Sequence, residues 1–92
     1  MSQDLKELRG QIDTIDAQLV DLFKQRMSVS KEIAAYKKEH GLPTLDAGRE
    51  RALLSQVGAQ AGEELAEYTE SVFRTILAAG RSYQNQCSGV KS

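Results

Sequence analysis

Two cations fall on the apolar face of what must be a long helix. Apolar residues recur at steps of three and four from Leu5 through Leu8, Ile12, Ile15, Leu19 and Leu22, then again at Val29, Ile33 and Tyr36, a heptad-type seam. Position 26 lies on the same register, and it holds an arginine. A guanidinium on a packing face is costly unless an anion meets it, so Arg26 points to an enclosed, negatively charged ligand. Lys37 follows 11 residues later, which puts both side chains on one face to within about 20° and about 16 Å apart along the axis. Two long side chains at that separation can converge on one small dianion. Arg9 cannot join them from the same helix. It lies 17 residues before Arg26, about 25 Å away and rotated by about 100°. An antiparallel pair of such helices would bring the Arg9 of one to the Arg26 of the other, and twofold symmetry would make two equal sites.

Further polar residues stand in places that call for an explanation. Phe73, Leu77, Gly80 and Gln84 share one helical stripe, so Gln84 is a neutral amide ending an apolar row, with Gly80 leaving space beside it. Asp46, Arg49 and Glu50 cluster where a second helix would begin. Each signal also has a plainer reading. Arg26 can set helix register or pair with a glutamate of another helix, and Arg9 can pair with Asp13 at i+4. Lys37, in the stretch Tyr36-Lys37-Lys38-Glu39-His40, can be solvated. Asp46, Arg49 and Glu50 can be first-turn helix charges. Gln84 can sit at a fraying end, bonded to a backbone carbonyl. The joint occurrence of these residues is what favours a site.

The chemistry is bounded by what is missing. His40 is the single histidine and Cys87 the single cysteine, too few to build a transition-metal site. No glycine-rich phosphate loop and no nucleophile with a plausible base occurs. An enzyme made this way needs no metal or cofactor and works by positioning and electrostatics.

The elements that position these residues are helical throughout. Helix 1 is expected from Ser2 or Asp4 to about His40, stopped by Gly41 and Pro43. Thr44 to Gly48 leads into helix 2, roughly 46–59, with Leu53, Leu54 and Val57 as its apolar positions. Gly58 and Gly62 mark a second break. Helix 3 is expected from about Glu63 to Gln86, with Leu65, Tyr68, Val72, Phe73, Ile76, Leu77 and Tyr83 inward, and residues 87–92 form a frayed tail. The fold class is all-α, one domain over 1–92, without strand-like alternation or internal repeat. A helix of more than 30 residues outreaches so small a domain at about 1.5 Å per residue, so the chain should pair with a second copy. The net charge of −1, from 12 basic and 13 acidic side chains, argues against a nucleic-acid partner. The lone cysteine suits a reducing compartment, and no signal peptide or apolar run of about 18 residues appears. A cytoplasmic protein without membrane contact is expected.

The pattern Leu8-Arg9-x-x-Ile12-Asp13-x-x-Asp16-x-x-Leu19-x-x-Leu22, then Arg26, Lys37, Asp46-x-x-Arg49-Glu50 and finally Gln84, resembles the all-helical (AroQ-type) chorismate mutases. The likeness runs in order over residues 5–86. It implies a dimer of two interlocked three-helix subunits that rearranges chorismate to prephenate, on the route to phenylalanine and tyrosine. It also implies roles: Arg26 and the Arg9 of the other subunit on the two carboxylates, Lys37 and Gln84 on the ether oxygen. Glu50 would accept from the ring hydroxyl, with the Asp46 backbone beside it and Arg49 in support. No proton is transferred in this pericyclic step, which accounts for the missing acid, base and nucleophile. Many relatives carry Ser where this chain has Gly80, so a hydroxyl contact to a carboxylate is missing or is replaced by Ser82 or a backbone N–H. Two rival readings are an isochorismate–pyruvate lyase on the same scaffold and a non-enzymatic helical dimerisation or regulatory module. The Asp46-x-x-Arg49-Glu50 segment looks more like the mutases.

Overall fold

The computed structural model describes residues 4–89 and contains three helices: α1 Leu5–Glu39, α2 Ala47–Ala61 and α3 Ala66–Cys87. Asp4 caps α1, its carboxylate accepting the Glu7 N–H at 2.8 Å, as the sequence suggests; Ser2, the other candidate, lies outside the described residues. The stop of α1 follows from Gly41. It adopts φ 65° and lets its N–H reach the Lys38 carbonyl at 3.4 Å while the Leu42 N–H reaches that of Lys37 at 2.8 Å, a Schellman ending that satisfies carbonyls the helix would otherwise leave open. Asp46 caps α2 by accepting the Arg49 N–H at 3.0 Å.

The second junction differs from expectation. Gly58 is not a break but a buried position inside α2. A Cβ there would meet the Glu70 side chain at 3.2 Å, so this glycine serves the close approach of α3. The turn is made by Gly62 alone, at φ 86°, and α2 therefore runs to Ala61. The Leu65 N–H bonds the Gly62 carbonyl, which holds residues 63–65 in a turn and delays α3 to Ala66.

The third helix packs against both others, whereas the backbones of α1 and α2 do not approach each other closely among the described residues. The core of the single chain is slight. Ala34 and Val57 are its buried apolar residues, and small side chains at Ser30 and Ala34 let α1 lie close to α3. The N-terminal part of the seam is open: Leu5, Leu19 and Leu22 are each nearly 60 % exposed, and Ile12 is 55 % exposed. Leu65, Tyr68 and Val72, expected inward, are also exposed, while Phe73, Ile76, Leu77 and Tyr83 are half-buried. The molecule spans 59 × 26 × 19 Å. Its length is that of α1.

Candidate functional site

The three helices enclose one cleft of about 570 Å³. Arg26 and Lys37 enter it from α1, Asp46, Arg49 and Glu50 from the start of α2, and Gly80 and Gln84 from α3. Seven of the residues singled out in the sequence thus line one cavity. Arg9 does not line it; it is exposed on the N-terminal part of α1. The floor is apolar, with Leu22, Val29, Ile33, Leu53 and Leu77, so the charged groups work beside poorly solvating walls, where they act more strongly than in water.

Lys37 is half-buried rather than freely solvated. Its ammonium donates to the Thr44 carbonyl at 2.6 Å, which leaves two of its three N–H groups for a ligand. The Thr44 hydroxyl in turn donates to Asn85 Oδ1 at 2.7 Å, tying the α1–α2 loop to α3. Arg26 is half-buried and takes part in no ion pair among the described residues. The plain reading of Arg9, a pair with Asp13, is not realised there either.

Gln84 stands in the last turn of α3, which ends at Cys87, and none of the described hydrogen bonds ties its side chain to a backbone carbonyl. Its side-chain oxygen is buried without a hydrogen-bond partner. A buried amide oxygen left unpaired costs about 1–3 kcal/mol, and an amide placed so in a cleft is poised for a ligand. Asp46 has its plain role as a helix cap and also lines the cleft. It caps α2, and that cap throws Glu50, one turn on, toward the cavity.

Several lining groups were not anticipated. Arg81 of α3 forms an ion pair with Glu50 of α2, their side chains 35 % and 21 % exposed. Their 31-residue separation left no local signal to connect them. Ser30 is only 5 % exposed and lines the cleft; its i+4 spacing from Arg26 could have flagged it. Ser82, suggested as a stand-in for the missing hydroxyl at Gly80, is exposed and outside the cleft, because it lies two residues, about 200°, around the helix from Gly80. Charges in the lining comprise four cations (Arg26, Lys37, Arg49, Arg81) and two carboxylates (Asp46, Glu50). The cleft suits a small anion that presents a hydrogen-bond donor toward α2. Among the described residues no cluster of three or more His, Cys, Asp or Glu could hold a metal, and no helix is long and apolar enough to cross a membrane.

Residues 8–85 match the family model of chorismate mutase type II. The T-protein of Haemophilus influenzae is 32% identical over 84 residues, 89% of this chain but 22% of that protein, so the chain spans about a fifth of that relative. The chorismate mutase of Methanocaldococcus jannaschii is 26% identical over 94% of this chain and 89% of its own length. A 4-amino-4-deoxychorismate mutase of Streptomyces venezuelae is 37% identical over 50% of this chain and 45% of its own. The solved structure of a conserved hypothetical protein from Pyrococcus furiosus superimposes with a TM-score of 0.74 at 36% identity, covering 91% of this chain and 99% of that one.

Proposed function

Because the chain belongs to the chorismate mutase type II family, we propose that its cleft rearranges chorismate to prephenate as a step toward phenylalanine and tyrosine. The observation that carries this reading is the meeting of Arg26, Lys37, Glu50 and Gln84 in one cleft. In the proposed mechanism Arg26 and the Arg9 of a second subunit grip the two carboxylates, which selects the compact conformer in which the reacting carbons meet. The C–O bond breaks ahead of C–C bond formation, so negative charge grows on the ether oxygen. Lys37 and the Gln84 amide N–H donate to that oxygen and stabilise the transition state more than the ground state. Glu50 accepts from the ring hydroxyl, with the Asp46 backbone adjacent and Arg49 in support. No proton changes hands.

The second subunit is part of the proposal. Supporting it are the open seam of α1 and the position of Arg9 outside its own chain's cleft. Two chains with α1 antiparallel would cover both seams and complete both sites. The test is direct: incubate the purified protein with chorismate and, separately, with isochorismate, and follow loss of each. Chorismate should be converted to prephenate. Lys37→Ala should keep the fold, read by circular dichroism, and lose at least about a hundredfold in kcat/KM, the scale of one electrostatic donor to a developing oxyanion. Conversion of isochorismate alone would overturn the reading in favour of the lyase.

A further inference from the structure

Under the proposed reading, Glu50 is the group that meets the substituent on the substrate ring. It does not meet it as a free carboxylate. Arg81, from the facing wall of the cleft, already holds Glu50 Oε1 in an ion pair, and both residues line the cavity. A carboxylate has room for about four hydrogen bonds over its two oxygens, so the pair leaves acceptor capacity for a ligand while its net charge is cancelled. That distinction matters to a ring bearing either of two donors. A hydroxyl is neutral and needs only an acceptor. A primary amine is an ammonium at neutral pH, and it gains most from an unpaired anion.

From this geometry we propose that Arg81 is a specificity-determining residue, which sets the Glu50 subsite for a neutral hydroxyl donor and against an ammonium at the same ring position. The inference rests on the mutase reading above and deepens it. Three observations support it together. Arg81 lines the cleft and its guanidinium is bonded to Glu50, so a cation that reaches Glu50 also meets that charge. Arg49 and Lys37 line the same cleft and add positive charge, and Asp46, the other carboxylate of the lining, is engaged in capping α2. An ammonium at Glu50 would therefore enter a lining in which cations outnumber carboxylates four to two, with the charge of Glu50 itself already matched by Arg81. Arg81 neither touches the reacting bond nor donates to the ether oxygen in this scheme; it acts through Glu50.

The experiment compares kcat/KM for chorismate with that for the analogue in which an amino group replaces the ring hydroxyl, in the whole protein and in two variants. The unaltered protein should favour the hydroxyl substrate. Arg81→Met, which keeps the length of the stem but not the charge, should move that ratio toward the amine by about tenfold or more, as expected for removing a nearby like charge from a partly buried site. Arg81→Lys should keep the ratio within about threefold of the original, because the charge remains. A purely structural role would lower both substrates together and leave the ratio alone. In the unaltered protein, discrimination should shrink as pH rises through the pKa of the substrate's amine, a readout independent of how any variant folds. An unchanged ratio in an Arg81→Met protein that still converts chorismate, or a flat pH dependence of discrimination, overturns the inference while leaving the mutase reading intact. A protein inert toward both substrates overturns the mutase reading and this inference with it.

Discussion

Gly80 shows how far a single position can be read and where reading fails. The absence of a side chain at this point is visible in sequence, but its neighbours are not. A Cβ added there would meet Ser30 Oγ at 3.7 Å and Arg26 Nη1 at 3.8 Å, ordinary contacts that require nothing to move. Gly80→Ser should therefore fit. It should lower KM for chorismate more than it raises kcat, because a ground-state contact to a carboxylate is uniform binding, and raise unfolding free energy by about 0.5 kcal/mol, since glycine is a poor helix former. Steady-state kinetics and urea titration check both parts; an unchanged KM would mean that Ser30 already supplies the hydroxyl from across the cleft. Arg26 and Lys37 were legible because charge on the face of an apolar seam contradicts its surroundings. Ser30 was not, because a serine in a helix contradicts nothing, and Arg81 was not, because its partner lies on another element.

At the scale of elements, the end of α1 and the start of α2 were readable because capping is local: Asp4, Gly41 and Asp46 act on residues within four positions. The α2–α3 junction was misread for a nonlocal reason. Gly58 looks like a breaker in sequence, yet its bareness serves the Glu70 side chain of another helix. The connection between α1 and α2 carries its own function. Its Thr44 carbonyl receives the Lys37 ammonium and its hydroxyl is fixed on Asn85, so a loop residue helps aim the lysine. Thr44→Val should cost about 1 kcal/mol of stability, as Asn85 Oδ1 loses a part-buried donor. It should also lower kcat more than KM changes, since Lys37 would be less well aimed. Thr44→Ser keeps the hydroxyl and should restore most of both, measured by thermal melts alongside kinetics. Equal loss in the serine variant would deny the hydroxyl this part.

For the whole molecule, the mismatch between a long α1 and a slight core was legible from length and periodicity alone. Which residues face outward was less so: Leu65, Tyr68 and Val72 carry the apolar pattern of an inward face and are exposed in the single chain, because periodicity identifies a face without saying what covers it. If a second chain covers α1 and lends Arg9, then Arg9→Ala and Arg26→Ala homodimers should each be nearly inactive, each leaving a carboxylate without its guanidinium. Unfolded together and refolded as a mixture, they should recover about a quarter of the original activity. Half the dimers would be mixed, and one of the two sites in each would hold both arginines. Recovery no better than the parents would place both arginines in one subunit's site and end the shared arrangement. The charges of the cleft have a consequence of another kind. The chain carries a net charge of −1, yet four cations against two carboxylates line the cleft, so the attraction felt by an approaching dianion is concentrated at one mouth instead of spread over the surface. Capture of the ligand is then governed by a field that reaches only about 10 Å at 0.1 M salt. Ionic strength would therefore act on the rate of encounter, while the proposed rearrangement of ligand already enclosed would proceed at a pace that the surrounding electrolyte barely touches.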